Sequence, residues 1–497
     1  LAAQSITVEG TVTGNLDSEV LIGASISVKG TTMGTVTDID GKYSLSVPSD
    51  AILVFSYLGY ETEEVAVRNR SLINVSLKTS SQDLEEVVVV GTILKKSDLT
   101  GAVSSVSAKV LEEKPVTSIN QALQGRVAGV LISNAAKPGD DATIKIRGIN
   151  TINTTTDPIY VVDGLVMDNF GGGFNSINLN DVASIEVLKD ASATALYGSR
   201  ASNGVVLITT KKGTKREGLG ITISGSVSAE TTFMLPKRQK TFGQGENGVF
   251  DSTNGYSWGP EVTGQSYTKW DGTTANMQIF DNVKNFFDTG VNLSESISFQ
   301  QQYDKTSIYT SLNRMDDSSM IPGANLSRTN LTLRASSTFG KDDRWSIDAK
   351  VQYINTLAEN RPISGARGNN AFYTIFNMPT TIDIRDFSSP VKDEYGEMIW
   401  WSKGGINPYW SKDYNPNKDS RNRFLMNGSL KYKFTDWLDA EIKAGSDMYF
   451  TEGEEKLYAG SPTNNKNSRY STSEKKFFEN NFSFLISGHK DELFGKF

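Results

Sequence analysis

The chain has 497 residues, 37% of them hydrophobic, with 44 glycines and a formal net charge of −7. An acidic balance argues against nucleic acid as a partner, because phosphate contacts need a basic surface. There is no cysteine and one histidine, His489, so disulfides and thiolate metal centres are excluded, and histidine-ligated zinc and Ser-His-Asp chemistry are disfavoured. No catalytic residue, metal ligand or cofactor site is assigned, and the chain is not expected to be an enzyme. No apolar run reaches the ~18 residues of a membrane-crossing helix. A membrane β-barrel stays open, since its strands are only half apolar.

The first residues, LAAQS, look like the end of a signal peptide around its cleavage site, which points to export. Residues 1–79 alternate short apolar runs with Gly, Asp and Pro turns, the pattern of a small β-sandwich. Within them TDIDGKY, Thr37 to Tyr43, has a calcium-loop look but lacks the distal glutamate. A turn with Gly41 at positive φ is the expected reading. Residues 80–96 form a linker that carries DLEEVVVVGT, Asp83 to Thr92. Four valines suit a strand, yet they do not alternate and they follow a serine-containing connector.

Residues 97–216 read as a compact α+β module. A helix is expected over 118–130 with Ser118 as N-cap, between strands such as ATIKIRGI, PIYVVDGL, SIEVLKD and GVVLITTKK. Its charged residues, Arg147, Asp163, Glu186, Lys189, Asp190 and Arg200, are expected in a polar network that meets a surrounding wall by hydrogen bonds.

Residues 217–497 alternate with period two. Leu331, Leu333, Ala335 and Phe339 share one face, and Thr332, Arg334 and Ser336 the other; Trp345, Ile347, Ala349 and Val351 oppose Ser346, Asp348, Lys350 and Gln352. Strands are expected near 219–233, 293–303, 306–314, 327–339, 344–356, 423–434, 438–450 and 477–488. Their connectors alternate in length, and aromatics mark strand ends, as in a membrane barrel with tight turns on one side and long loops on the other. Eight strands close only a narrow barrel, too small to hold the module before them. The first strands of a larger barrel are therefore expected, with the remainder on further sequence or a second chain. The long connectors are rich in Trp and Tyr, including Trp400 and Trp401, which suit either sugar stacking or packing at the membrane rim. FGQGENG holds a GxGxxG that neither follows a strand nor opens a helix, so it reads as a loop.

IKIRGIN, DPIYVVDGL and INLNDVASIEVLKDASATALYGSRASNGVVLITTKKG resemble the plug of TonB-dependent outer-membrane transporters. With KKSDLTGAVSSVSAK and LQGRVAGV, the likeness is to the SusC/RagA type; GTVTDIDGKYSLSVP and FSYLGYE resemble the carboxypeptidase-regulatory-like domain that precedes that plug. The familiar VVVVGYGT stands here as VVVVGTIL. The resemblance implies a mainly β protein: sandwich, α+β plug, and about eight strands of a barrel of about 22 in that family, within the range of such barrels. It implies import of an oligosaccharide, less readily a peptide, across the outer membrane, driven through TonB and its inner-membrane energising complex. A SusD-like surface lipoprotein would cap the barrel, outer-membrane lipid would surround it, and a dimer of transporter–lipoprotein pairs is compatible with it. Leu84, Glu85, Glu86, Val87, Val88, Val89, Val90 and Gly91 would be the TonB box, paired by strand addition. Asn150, Asn153, Asn169 and Phe170 of the plug, with Trp400 and Trp401, are the substrate-contact candidates. The competing reading is a non-transporting, glycan-binding barrel that only anchors, which would have no use for an energy-coupling strand.

Overall fold

The computed structural model describes residues 5–488 except 15–19, 22, 30, 32, 58–59, 61, 79–86, 91, 96–102, 108–118, 120–122, 134–142, 150–155, 168–175, 190–196, 199–200, 217, 234, 364, 366–368, 403–404 and 461–466. Two compact units divide the chain, one of residues 1–89 and 93–99, the other of 90–92 and 100–497.

The first unit contains β1 (Ser5–Gly14), β2 (Ser25–Val28), β3 (Gly34–Val36), β4 (Lys42–Pro48), β5 (Ile52–Ser56), β6 (Glu63–Ala66) and β7 (Val75–Leu77). They form two sheets, ordered β4-β1-β7 and β3-β2-β5-β6. Alternation along β1 turns Val8 and Val12 inward, where they meet Ile26, Leu53 and Phe55 of the other sheet in one buried cluster. Tyr43 lies in that cluster. Its hydroxyl donates to the Ile73 carbonyl at 2.8 Å, its ring meets Phe55 edge to face, and burial pushes its pKa up to about 12. TDIDGKY is a turn: the Asp38 carboxylate accepts from the Asp40 and Lys42 amides at 2.9 and 2.8 Å, and Gly41 has φ 69°. The valine run is β8 (Val87–Val90), which forms a two-stranded sheet with β9 (Thr92–Lys95).

The plug region contains β10 (Val103–Ser107), β11 (Val130–Ser133), β12 (Thr143–Ile146), β13 (Ile159–Val162), β14 (Leu165–Met167), β15 (Val182–Leu188) and β16 (Val205–Thr210). Five of these make a mixed sheet ordered β10-β15-β16-β13-β14, with β13 parallel to β16, while β11 and β12 pair apart from it. Ile119 and Leu123 are helical, but the expected helix stops short of 130: Gly125 and Gly129 take φ 72° and 74°, and Val130 already opens β11. Two glycines in the left-handed region end a helix more firmly than its apolar spacing can extend it. Ser118 lies outside the described residues.

The remaining strands are β17 (Ile221–Glu230), the small hairpin β18 (Ser266–Thr268) and β19 (Thr274–Asn276), then β20 (Gly290–Tyr303), β21 (Thr306–Ser318), β22 (Asn325–Phe339), β23 (Trp345–Glu359), β24 (Asn417–Thr435), β25 (Leu438–Leu457) and β26 (Arg469–Gly488). All but the hairpin form one antiparallel sheet, ordered β17-β20-β21-β22-β23-β24-β25-β26. Each expected strand is present, most of them longer than the apolar alternation marks. At ~3.3 Å per residue, the 20-residue β25 and β26 span roughly 65 Å, well beyond a tilted path through a ~25 Å apolar band. Outward positions are apolar and exposed, among them Leu331, Leu333, Ile347, Val351, Leu430 and Ile442. The intervening positions are polar and buried, including Asn313, Thr332, Arg334, Lys350, Gln352 and Asp447. Phe339, Trp345, Tyr432 and Phe434 form a chain of ring contacts at the short-turn end.

The plug packs on the polar face. Ile354 of β23 and Leu425 of β24 join the cluster formed by Ile132, Ile144, Tyr160, Val187 and Ile208. The segment leading out of the plug runs so close to β21 that a Cβ on Gly213 would lie 2.4 Å from both the amide nitrogen and the carbonyl oxygen of Ile308. Gly213→Ala should therefore push this segment off β21 at a cost of about 1–3 kcal/mol, read as faster proteolytic cleavage after residue 210 in the purified protein.

Candidate functional site at the plug–wall seam

Val162 and Leu165 close the β13–β14 hairpin around Asp163 and Gly164, both at positive φ (49° and 86°). Asp-Gly suits such a turn, since neither residue is strained much there. The turn presents the Asp163 carboxylate to two elements at once. Within the plug it accepts from the Thr210 amide at 2.9 Å and the Thr210 hydroxyl at 2.7 Å. From the wall it meets the Arg334 guanidinium at 3.2 Å and forms an ion pair with Lys350. Arg334 is itself held by a bidentate pair with Asp348, both bonds 2.9 Å, and donates to the Thr210 carbonyl at 3.1 Å. Lys212 reaches Asp348 at 2.8 Å. Burial by itself would raise the Asp163 carboxyl; the Lys350 and Arg334 charges and the Thr210 bonds overcome it and hold the group well below the usual carboxylate range.

A second carboxylate, Asp181, is fully buried and takes three bonds from the wall: from Tyr309 at 2.8 Å, Asn313 at 3.2 Å and Thr332 at 2.9 Å. Asn330 donates to the Ser176 carbonyl at 2.7 Å and Asn427 to the Val162 carbonyl at 3.3 Å. Gly445 lets β25 approach the plug, since a Cβ there would come 2.7 Å from Leu165 Cδ1. The plug is thus fixed by polar bonds to β21, β22, β23 and β24.

Of the charged plug residues singled out in the sequence, Asp163 bonds to the wall. Lys189 donates to the Ser104 hydroxyl and the Ala128 carbonyl inside the plug, and Glu186 is buried in β15. Arg147 is exposed at φ 57°, and Asp190 and Arg200 lie outside the described residues. Asp181 and Thr210 escaped sequence reasoning, although alternation already put Thr332, Arg334 and Lys350 on the polar face.

The substrate-contact candidates Asn150, Asn153, Asn169 and Phe170 lie outside the described residues, as do Leu84, Glu85, Glu86 and Gly91; Val87 to Val90 are described as backbone strand. Trp400 and Trp401 belong to a lobe built by the two long loops, residues 231–289 and 360–416. Short helices α1 (Asn282–Phe286), α2 (Ala371–Asn377) and α3 (Pro408–Asp413) lie in these loops. Val283, Phe286, Ile375, Ile384 and Phe387 form its buried core, with both tryptophans packed against it. Trp400 meets Phe387 at 4.7 Å between ring centroids and Trp401 at 6.3 Å. The buried Asn282 amide ties the loops together, donating to the Ile382 carbonyl at 2.7 Å and accepting from the Ile384 amide at 2.9 Å. Both indoles thus serve loop packing and are half-buried in it.

Removing one partner of a buried ion pair leaves the others stranded, a loss of about 3–5 kcal/mol. Asp163→Ala should accordingly raise amide exchange in β13, β14 and β16 in the folded protein, and Asp163→Asn, which keeps a Thr210 acceptor, should do so less. Because the folded pKa is depressed, this contribution is complete above the unfolded carboxylate value near ~4 and is lost as pH falls through the folded value. Exchange in these strands should show no Asp163-linked change between pH 5 and 8 and should rise only under stronger acid.

Residues 95–205 match the family model TonB-dependent Receptor Plug Domain, and residues 8–89 match CarboxypepD_reg-like domain. TonB-dependent receptor SusC of Bacteroides thetaiotaomicron is 33% identical over 478 residues, covering 91% of this chain and 45% of that protein. TonB-dependent receptor P3 of Formosa agariphila is 49% identical over 216 residues, 43% of this chain and 21% of that protein. A structure of the RagAB peptide importer superposes with TM-score 0.62 at 24% identity, over 81% of this chain and 46% of that one, which shows a shared fold. The chain spans less than half the length of these relatives. Plug, preceding β domain and polar-faced sheet together place this chain among the SusC/RagA-type TonB-dependent receptors.

Proposed function

We infer that the protein imports a large nutrient across the outer membrane, an oligosaccharide in preference to a peptide, with energy delivered through TonB. The observation that carries this reading is the plug held to the polar face by buried carboxylates, Asp163 and Asp181. Such a plug blocks the lumen, and moving it breaks ion pairs and hydrogen bonds together. Spontaneous displacement is therefore rare, and transport needs a pull from outside. The pull enters at Leu84 to Gly91. There Val87 to Val90 form a strand in a sheet of two among the described residues, and the edge of such a sheet is a template to which a third strand can add. The working division is 1–79 for the regulatory-like sandwich, 80–96 for the linker with the TonB box, 97–216 for the plug and 217–497 for barrel strands.

The short-turn end, where the plug chain enters β17, would face the periplasm, and the lobe of the two long loops the exterior. A SusD-like lipoprotein above that lobe is the expected partner, within a dimer of such pairs. Substrate would contact the plug through Asn150, Asn153, Asn169 and Phe170, with Trp400 and Trp401 at the loop lobe. No described feature favours a barrel that merely anchors.

Deleting Leu84 to Gly91 from the full-length receptor should abolish uptake while leaving membrane insertion and ligand binding intact, measured by labelled-ligand uptake beside surface binding. Undiminished uptake would refute the energised-import reading. Val88→Pro should impair uptake far more than Val88→Thr, because proline removes an amide donor and fixes φ. Purification in mild detergent should bring a surface lipoprotein along.

A further inference from the structure

The two carboxylate anchors have one wall residue between them that neither uses. Gln352 on β23 lies opposite Thr332, which bonds Asp181, and two residues from Lys350, which pairs with Asp163. It is fully buried. Neither the oxygen nor the nitrogen of its amide has a hydrogen-bond partner, and among the described residues no other buried side-chain amide has both atoms unpaired. Its diagonal neighbour on β24, Asn427, is half served. The Asn427 nitrogen donates to the Val162 carbonyl of the plug, while its Oδ1 is shielded from solvent and unpaired. Three unpaired atoms thus lie on adjoining wall positions beside the Asp163 turn.

A buried amide without partners is far less stable than a bonded one, and native interiors seldom keep it. Turning the Gln352 amide over exchanges its nitrogen and oxygen and satisfies neither. The group that fits must both accept and donate, because the site offers one amide N–H donor and two carbonyl oxygens. The Lys350 ammonium, opposite Asn427, disfavours a metal cation there, and the two amide oxygens disfavour an anion. A small neutral molecule with both functions remains, and water is that molecule. Apolar side chains bound the site: Leu425, opposite Gln352, and Ile354, two residues along β23, both pack into the plug core.

We propose that Gln352 and Asn427 hold internal water at the plug–wall seam. One molecule donates to both oxygens; a second accepts from the Gln352 nitrogen and bonds to the first. Each water then has the several polar partners that buried water needs. It also gives this stretch of the seam exchangeable partners. When the Asp163 turn shifts, the Val162 carbonyl and the Lys350 ammonium can pass to water instead of losing their bonds outright. The site stands apart from the import reading, because it follows from how plug and wall are seated.

The test is hydroxyl-radical labelling of the purified full-length protein by a short X-ray pulse. The pulse makes radicals from water in place, so it marks side chains beside internal water that bulk solvent does not reach. Leu425 is compared with Leu53, which is also buried but lies in the apolar sandwich core. Leu425 should be oxidised several-fold faster. Gln352→Met keeps the side-chain length and removes the amide. It should bring Leu425 down to the rate of Leu53 and lower the unfolding midpoint, since bonded water is lost and the Asn427 oxygen is stranded. Equal labelling of the two leucines in the wild type overturns the site. So does an unchanged Leu425 rate in Gln352→Met, which would mean that solvent arrives by another path. A midpoint that rises or stays put in Gln352→Met overturns it as well, because removing an unbonded amide relieves the fold. If Gln352→Met does not fold, Asn427→Leu replaces it with the labelling reading alone, and the wild-type comparison decides in either case.

Discussion

The plug and the wall meet through charges that neither could bury alone. Arg334 and Lys350 point into the inner face of the sheet, where desolvation would be prohibitive without partners. Asp163 meets both from the plug, and Asp348 holds the second side of the arginine. The hairpin turn that places Asp163, the end of β16 that supplies Thr210, and the register that brings Arg334 beside Lys350 all serve this one junction. Asp181 repeats the solution with neutral donors, using a tyrosine, an asparagine and a threonine. The two anchors differ in kind: one trades charge for charge, whereas the other spreads one charge over several dipoles.

A seam of this sort suits a part that stays put yet must at some point move. Apolar packing, as at Ile354 and Leu425, is forgiving of small shifts. Directed bonds are not, because they weaken steeply with misalignment. The combination makes the docked state well defined and the release step abrupt.

Much of this was written in the local sequence. Alternation along β22 and β23 separated the outward, exposed Leu331, Leu333 and Ile347 from the inward Thr332, Arg334 and Lys350, because a strand has a fixed period of two. Asp163-Gly164 was passed over: PIYVVDGL reads as one strand, yet Asp-Gly tolerates the positive φ of the turn that divides it into β13 and β14. Legibility failed wherever a property depended on a distant partner. Asp181 looks like any polar residue beside a strand, and nothing near it announces Tyr309 or Thr332. The early end of the helix before Val130 depended on two glycines whose dihedral angles outweigh apolar spacing.

The loop lobe has a consequence for the order of assembly. Its core draws Phe286 from one loop and Ile375, Ile384 and Phe387 from another, and the Asn282–Ile382 and Arg238–Met378 bonds close over 100 and 140 residues of chain. Between those loops lie β20, β21, β22 and β23, so their hairpins can zip locally before the lobe has anything to close on. Closure across so long an intervening chain is entropically slow until those strands hold both loop ends in place. The lobe should thus be a late product of assembly, and until it closes its aromatic core is apolar surface open to misdirected contacts.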